Sequence, residues 1–313
     1  MIYGTGELTY ELVDGWAKLP EKWSFKDACG IATDAHDRVY VLSRSDHPVM
    51  VFDNEGNLLT SWGEGLFKRA HGICIGPDGS IYCADDGHHV IYKFTPEGAL
   101  LETLGNKGQP SNTGFEPDWV DFYWGLATIT HGGAPFNSPT GIALSSSDEI
   151  YVSDGYGNSR IHKFSPTGKL LLSWGEPGFG PSQFRLPHSV WVDKQERVWV
   201  TDRENNRIQI FNNRGEFLTQ WTELVRPSNL YIDDDGLVYV TEFCTRVSIF
   251  TNEGKVLTRL SNVVGSDKEQ ALFLAPHTIA LDSRANIYVG EVCLTYGKVD
   301  RGPRAVQKFA RRT

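Results

Sequence analysis

Three of the nine histidines in this 313-residue chain occupy one column of an internal repeat. Aligned on the start of each copy's first strand, the column reads Cys29, His71, Thr140, His188, Ser228, His277. A single histidine near a strand start is usually a hydrogen-bonded structural residue. Histidine on every second copy is a different pattern. If the copies close into a ring, alternate members stand about 120° apart at one height, and the imidazoles converge. Three imidazoles with one open position form the donor set of a metal centre that admits water or substrate, zinc or another first-row divalent ion.

A second column follows each copy's second strand: Ser43-Arg44, Asp85-Asp86, Asp154-Gly155, Asp202-Arg203, Glu242-Phe243 and Glu291-Val292. The acids suit turn capping. Arg44 and Arg203 should lie at the histidine end, because the second strand runs back toward it. Two guanidinium groups beside a metal suit an anionic substrate with a carboxylate. Tyr156 stands between Gly155 and Gly157, so its phenol can project as an acid–base group. The other histidines (His36, His47, His88, His89, His131, His162) read as surface residues in turns or outer strands.

The elements that must position these residues are short strands. VWVTD and IYVSD alternate with period two, and PDGS, DDDG, SPTG and NNRG mark turns. Six copies of four strands, at 30–63, 71–105, 139–175, 187–221, 227–260 and 276–309, predict an all-β, six-bladed β-propeller in a single domain, 1–313. No amphipathic helix is evident. The last copy lacks its fourth strand, and residues 6–16 read as a strand that supplies it, leaving no open edge. A long insertion, 106–137, carries Phe115, Trp119, Phe122, Tyr123 and Trp124. Its aromatic load predicts a loop packed over one face, a candidate lid. Shorter insertions lie at 176–185 and 261–274.

The net charge of −9 argues against nucleic-acid or anionic-membrane partners. Five cysteines without paired spacing favour reduced thiols. With no basic, apolar start and no membrane-length apolar run, a cytoplasmic location is expected.

The Pro-x-x-Ile start, the Asn-x-Arg-Ile turn and the Phe-ended hairpin resemble the NHL repeat. SDGYGNSRI, LPHSVWV, TDRENNRIQIF, HGICI, APHTIAL and LSRSDH together resemble the lyase domain of peptidylglycine α-amidating enzymes, the peptidyl-α-hydroxyglycine lyases. That resemblance implies zinc on His71, His188 and His277, catalysis by Tyr156 with Arg203, and a substrate carboxylate on Arg44. The implied reaction cleaves an N-acyl or peptidyl α-hydroxyglycine to an amide and glyoxylate. It also implies a structural calcium on the backbone carbonyls of Ile31 and Ile73. There the family's aspartate is replaced by Thr278, which lacks the charge, and Gly157 replaces a disulfide cysteine. The substrate is then a small molecule or a peptide. A lactonase-like metal hydrolase on the same fold and a non-catalytic NHL scaffold are the alternatives.

Overall fold

The computed structural model describes residues 1–118, 120–243, 245–261 and 271–312. Trp119, Cys244, Thr313 and residues 262–270, which are most of the third insertion, lie outside them. Strands of four to six residues are built from β-branched and aromatic residues that suit a pleated, half-buried surface. Second strands such as Ile150–Asp154 and Val198–Asp202 are buried throughout. The result is the expected six-bladed β-propeller of antiparallel sheets.

By packing, the chain forms two compact units, Phe67–Pro227 and Met1–Leu66 with Ser228–Thr313. The first holds three blades. Ala70–Ile75, Ile81–Asp85, Val90–Phe94 and Leu100–Gly105 make one. Pro139–Leu144, Ile150–Asp154, Arg160–Phe164 and Leu170–Trp174 make the next. Pro187–Val192, Val198–Asp202, Arg207–Phe211 and Phe217–Trp221 make the third. Its core runs through the seams: Ile91, Leu104, Phe136 and Val152 in one cluster, Tyr151, Trp174, Phe184 and Phe211 in another.

In the second unit, Ala28–Thr33 to Leu58–Trp62 and Pro227–Ile232 to Val256–Ser261 each make a four-stranded blade. The last blade is Pro276–Leu281, Ile287–Glu291 and Val306–Arg311. The N-terminal strand Leu8–Val13 pairs with Val306–Arg311, setting Leu12 opposite Phe309. Ile2–Thr5 then adds a fifth strand. The chain start therefore supplies the missing outer strand, with one strand more than the repeat pattern predicts.

The acid that ends the second strand holds down the loop that leads into the first. Asp85 accepts from the Lys68 and Arg69 amides, Asp154 from Asn137, Asp202 from Arg185, and Glu291 from Leu274 and Ala275. These contacts fix the histidine column's backbone, since buried amides need acceptors.

Two readings of the sequence need correction. The insertion 106–137 contains a short helix, Phe122–Ala127, and Cys293–Gly297 is a second one. Six residues are too few for an amphipathic period to show; an Asp121 cap and tertiary packing make the first helix. His162 is fully buried rather than superficial. Its Nδ1 lies 2.7 Å from Ser173 Oγ and its Nε2 3.4 Å from Asp154, and Phe136 and Phe164 pack around its ring. No disulfide joins any two of Cys29, Cys74, Cys83 and Cys293. No described helix is long and apolar enough to cross a membrane.

Candidate metal centre

In the unit Phe67–Pro227, His71 sits second in the strand Ala70–Ile75. A Cβ on the next residue, Gly72, would run into the Thr140 carbonyl oxygen. Glycine there lets the strand ride close over Thr140, and His71 Nδ1 donates to that carbonyl at 2.8 Å. A carbonyl only accepts, so the proton is on Nδ1 and Nε2 presents its lone pair. His188, in Pro187–Val192, lies beside it with ring centroids 4.8 Å apart. Both rings are buried.

Tyr156 follows the strand Ile150–Asp154. A Cβ at Gly155 would strike the Pro187 carbonyl, and one at Gly157 the Asn137 side chain. The glycines therefore admit close approach by neighbouring backbone and side chain, and no side chain, cysteine included, fits at Gly157 without a shift. The phenol Oη lies 3.2 Å from His71 Nε2, 3.4 Å from His188 Nε2 and 3.5 Å from Arg203 Nη1. Arg203 begins the short turn Arg203–Asn205, and its guanidinium carbon lies 5.6 Å from the Tyr156 ring centre.

Two groups escaped the sequence reading, one at this phenol and one behind its arginine. Arg69 places its guanidinium carbon 5.1 Å from the Tyr156 ring centre and pairs with buried Asp86 at 3.1 Å. Glu204 accepts from Arg203 Nε at 2.9 Å and Arg226 Nη2 at 2.8 Å. Burial works against the Glu204 charge, but Arg203 and Arg226 hold its carboxyl below the ordinary value. Neither residue lies in a column of the repeat, so periodicity had no hold on them. Asp86, in the second column beside Asp85, was the one available signal.

In the other unit, His277 sits second in Pro276–Leu281, and its Nδ1 donates to the Cys29 carbonyl at 2.9 Å. Arg44 follows the strand Val39–Ser43. Its Nη1 lies 3.3 Å from Thr295 Oγ1 and 3.5 Å from Asp27, which also accepts the Leu294 and Thr295 amides. Ile31 is buried, and its amide donates to Thr278 Oγ1 at 3.0 Å, so a neutral hydroxyl serves the backbone where a calcium aspartate was sought. Ile73 lies opposite Cys83 in the Ala70–Ile75 strand.

His71, His188 and His277 form a buried three-histidine group, with one ring nitrogen of each within 4.8 Å of the others. The group could bind a metal, and its chemistry fits one. Two of the rings spend Nδ1 on a backbone carbonyl, the outer hydrogen bond that orients metal-ligating imidazoles and leaves Nε2 as donor.

Fold and site define a class: a six-bladed β-propeller with NHL repeats and an internal three-histidine group. The NHL repeat description matches residues 136–164 and 184–211. Human NHL repeat-containing protein 3 is 28% identical over 97% of this chain and 85% of its own length. Drosophila melanogaster peptidyl-α-hydroxyglycine α-amidating lyase 1 is 28% identical over 82% of this chain and 47% of its own length. Among solved structures, a gluconolactonase from Xanthomonas campestris superposes with a TM-score of 0.65 at 12% identity, over 99% of this chain and 95% of that one. This last likeness is one of fold.

Proposed function

We propose that this chain is a zinc-dependent lyase that cleaves the C–N bond of an N-acyl or peptidyl α-hydroxyglycine, giving an amide and glyoxylate. One observation carries the reading: the Tyr156 phenol touches two imidazoles of the three-histidine group and an arginine at once. The lyase name of a relative similar over most of the chain supports it.

His71, His188 and His277 would hold the ion, which supplies Lewis-acid polarisation of a substrate oxygen. The protein's own part is proton and charge handling. Deprotonated Tyr156 Oη takes the proton of the substrate's α-hydroxyl. The C–N bond breaks as the C=O of glyoxylate forms, and its electron pair goes to nitrogen. Tyr156 Oη returns the proton to that nitrogen, so no net proton is consumed. Arg203 Nη1, beside the phenol, binds the carboxylate and steadies developing charge, and Glu204 keeps its guanidinium in place. Arg44, anchored by Asp27, is proposed for the same carboxylate.

The test is metal analysis of the purified protein together with glyoxylate release from α-hydroxyhippurate. About one ion per chain and stoichiometric glyoxylate support the lyase. A metal-dependent hydrolase is the second reading, because a three-histidine ion with an open position also activates water. Metal-dependent lactone opening without glyoxylate release would select it.

A further inference from the structure

The insertion between the second and third blades reaches the phenol, and it does so with aromatic side chains. Its helix Phe122–Ala127 starts at Asp121, whose carboxylate accepts the Trp124 amide at 2.9 Å. Leu126 and Ile129 are buried with Leu186 against Phe115 and Tyr156. The insertion is therefore anchored on the site by its own apolar residues. Three rings of the helix's first turn nevertheless stay wet: Phe122, Tyr123 and Trp124 are 36%, 48% and 47% exposed.

Phe122, four residues before Leu126 and on the same helix face, is the exposed ring that reaches the site. Its ring meets Tyr156 edge-on, with centroids 6.1 Å apart and planes at 71°. The Arg203 guanidinium carbon lies 5.7 Å from the Phe122 ring centre. The arginine proposed to take the carboxylate thus touches both the phenol and an exposed aromatic ring. A ligand bound through its carboxylate at Arg203 has Phe122 beside it. Exposed apolar area that continues a polar site gains free energy when an apolar ligand group covers it.

We infer that Phe122 is a specificity-determining residue and that the acyl group of the substrate is aromatic. The inference rests on the lyase reading for its substrate class. The acyl group lies against the Phe122 ring, an edge or offset contact of the kind aromatic pairs favour, while the carboxylate stays on Arg203. Phe122 takes no part in proton transfer.

The test uses two acids that lack the α-hydroxyl and so cannot be turned over: hippurate (N-benzoylglycine) and N-acetylglycine. Their binding to the purified, metal-loaded protein is measured by calorimetry. Wild type should prefer hippurate by about tenfold or more, the worth of an aromatic contact plus the area it covers. In Phe122→Ala the preference should fall to near unity, hippurate losing more than N-acetylglycine, with Phe122→Tyr retaining the wild-type ratio. Equal wild-type affinities, no binding of either acid, or an equal loss of both in Phe122→Ala would overturn the inference. Glyoxylate release from α-hydroxyhippurate is followed separately. Its absence with the hippurate preference intact defeats the lyase reading alone; its presence with no acyl preference defeats the Phe122 inference alone.

Discussion

Thr140 and His71 hold the same position in neighbouring blades, yet they do different work. Thr140 spends its hydroxyl on structure: Oγ1 donates at 2.9 Å to the carbonyl of Pro187 in the next blade and also meets Ser153. Ser228 repeats this, donating to the Pro276 carbonyl at 2.9 Å and meeting Thr241. His71 and His277 donate to the next blade through Nδ1, to the carbonyls of Thr140 and Cys29. A hydroxyl is used up at the seam. An imidazole satisfies the seam with one nitrogen and has a second left for chemistry. One backbone position therefore yields a clamp or a candidate ligand, depending on whether the side chain has a second functional atom.

The largest expected effect tests the ligand half of that contrast. His277→Ala should lower bound metal from about one ion per chain to near none and take turnover below detection, with the strand signal in circular dichroism retained. Full metal content in this variant would leave the imidazole with only the duty that Thr140 has. Tyr156→Phe comes next. It should keep the metal and lose about 10²–10⁴-fold in kcat, the usual worth of acid–base help. A wild-type rate would remove the phenol from the chemistry and leave it a packing residue on Leu126 and Leu186.

Thr140→Val tests the clamp half. The change keeps shape but leaves the Pro187 carbonyl without its hydroxyl donor in a buried seam. The cost should be about 1–3 kcal/mol of unfolding free energy, read from urea midpoints. Metal content and kcat should hold, because His71 donates to the Thr140 backbone, which valine preserves. A large fall in metal with unchanged stability would show that the two halves of the column are not separable.

The split between the halves also explains what the sequence disclosed. The column was legible because it recurs with the blade, and four of its members, His71, Thr140, Ser228 and His277, donate to a carbonyl of the next blade. The three-histidine group followed from histidine standing on every second copy of that column. The closing strand was legible as well, because a three-stranded last blade leaves an edge that some other segment must cover. Arg69 and Glu204 were hidden, since each answers to one local contact, with Asp86 and with Arg203. His162 was misread because its place in a third strand looked peripheral. Its ring is instead buried inside the blade, with Nδ1 hydrogen-bonded to Ser173 and Nε2 facing Asp154 at 3.4 Å. Aperiodic function leaves no period to find.

The smallest effect concerns a charge that acts on the site from outside the column. Glu204 is 5% exposed at its side chain and faces Arg203, Arg226 and the Tyr123 phenol. Its carboxyl titrates below the ordinary value because the two guanidinium groups outweigh burial. A group whose folded-state pKa is depressed contributes stability that is present above its unfolded pKa, about 4.3 for glutamate, and lost as pH falls through the folded value. Urea midpoints of the wild type should therefore drop as pH is lowered below about 5. Glu204→Gln should flatten that part of the curve while lowering stability near neutrality. It should also raise KM for a carboxylate substrate several-fold, because Arg203 Nε then faces a neutral amide oxygen in place of a carboxylate. Unchanged slopes with an unchanged KM would mean that Arg203 is held by its backbone turn alone. The phenol's arginine would then owe nothing to the Glu204 charge, and the Nδ1 contacts at the seams would carry the orientation of the histidines by themselves.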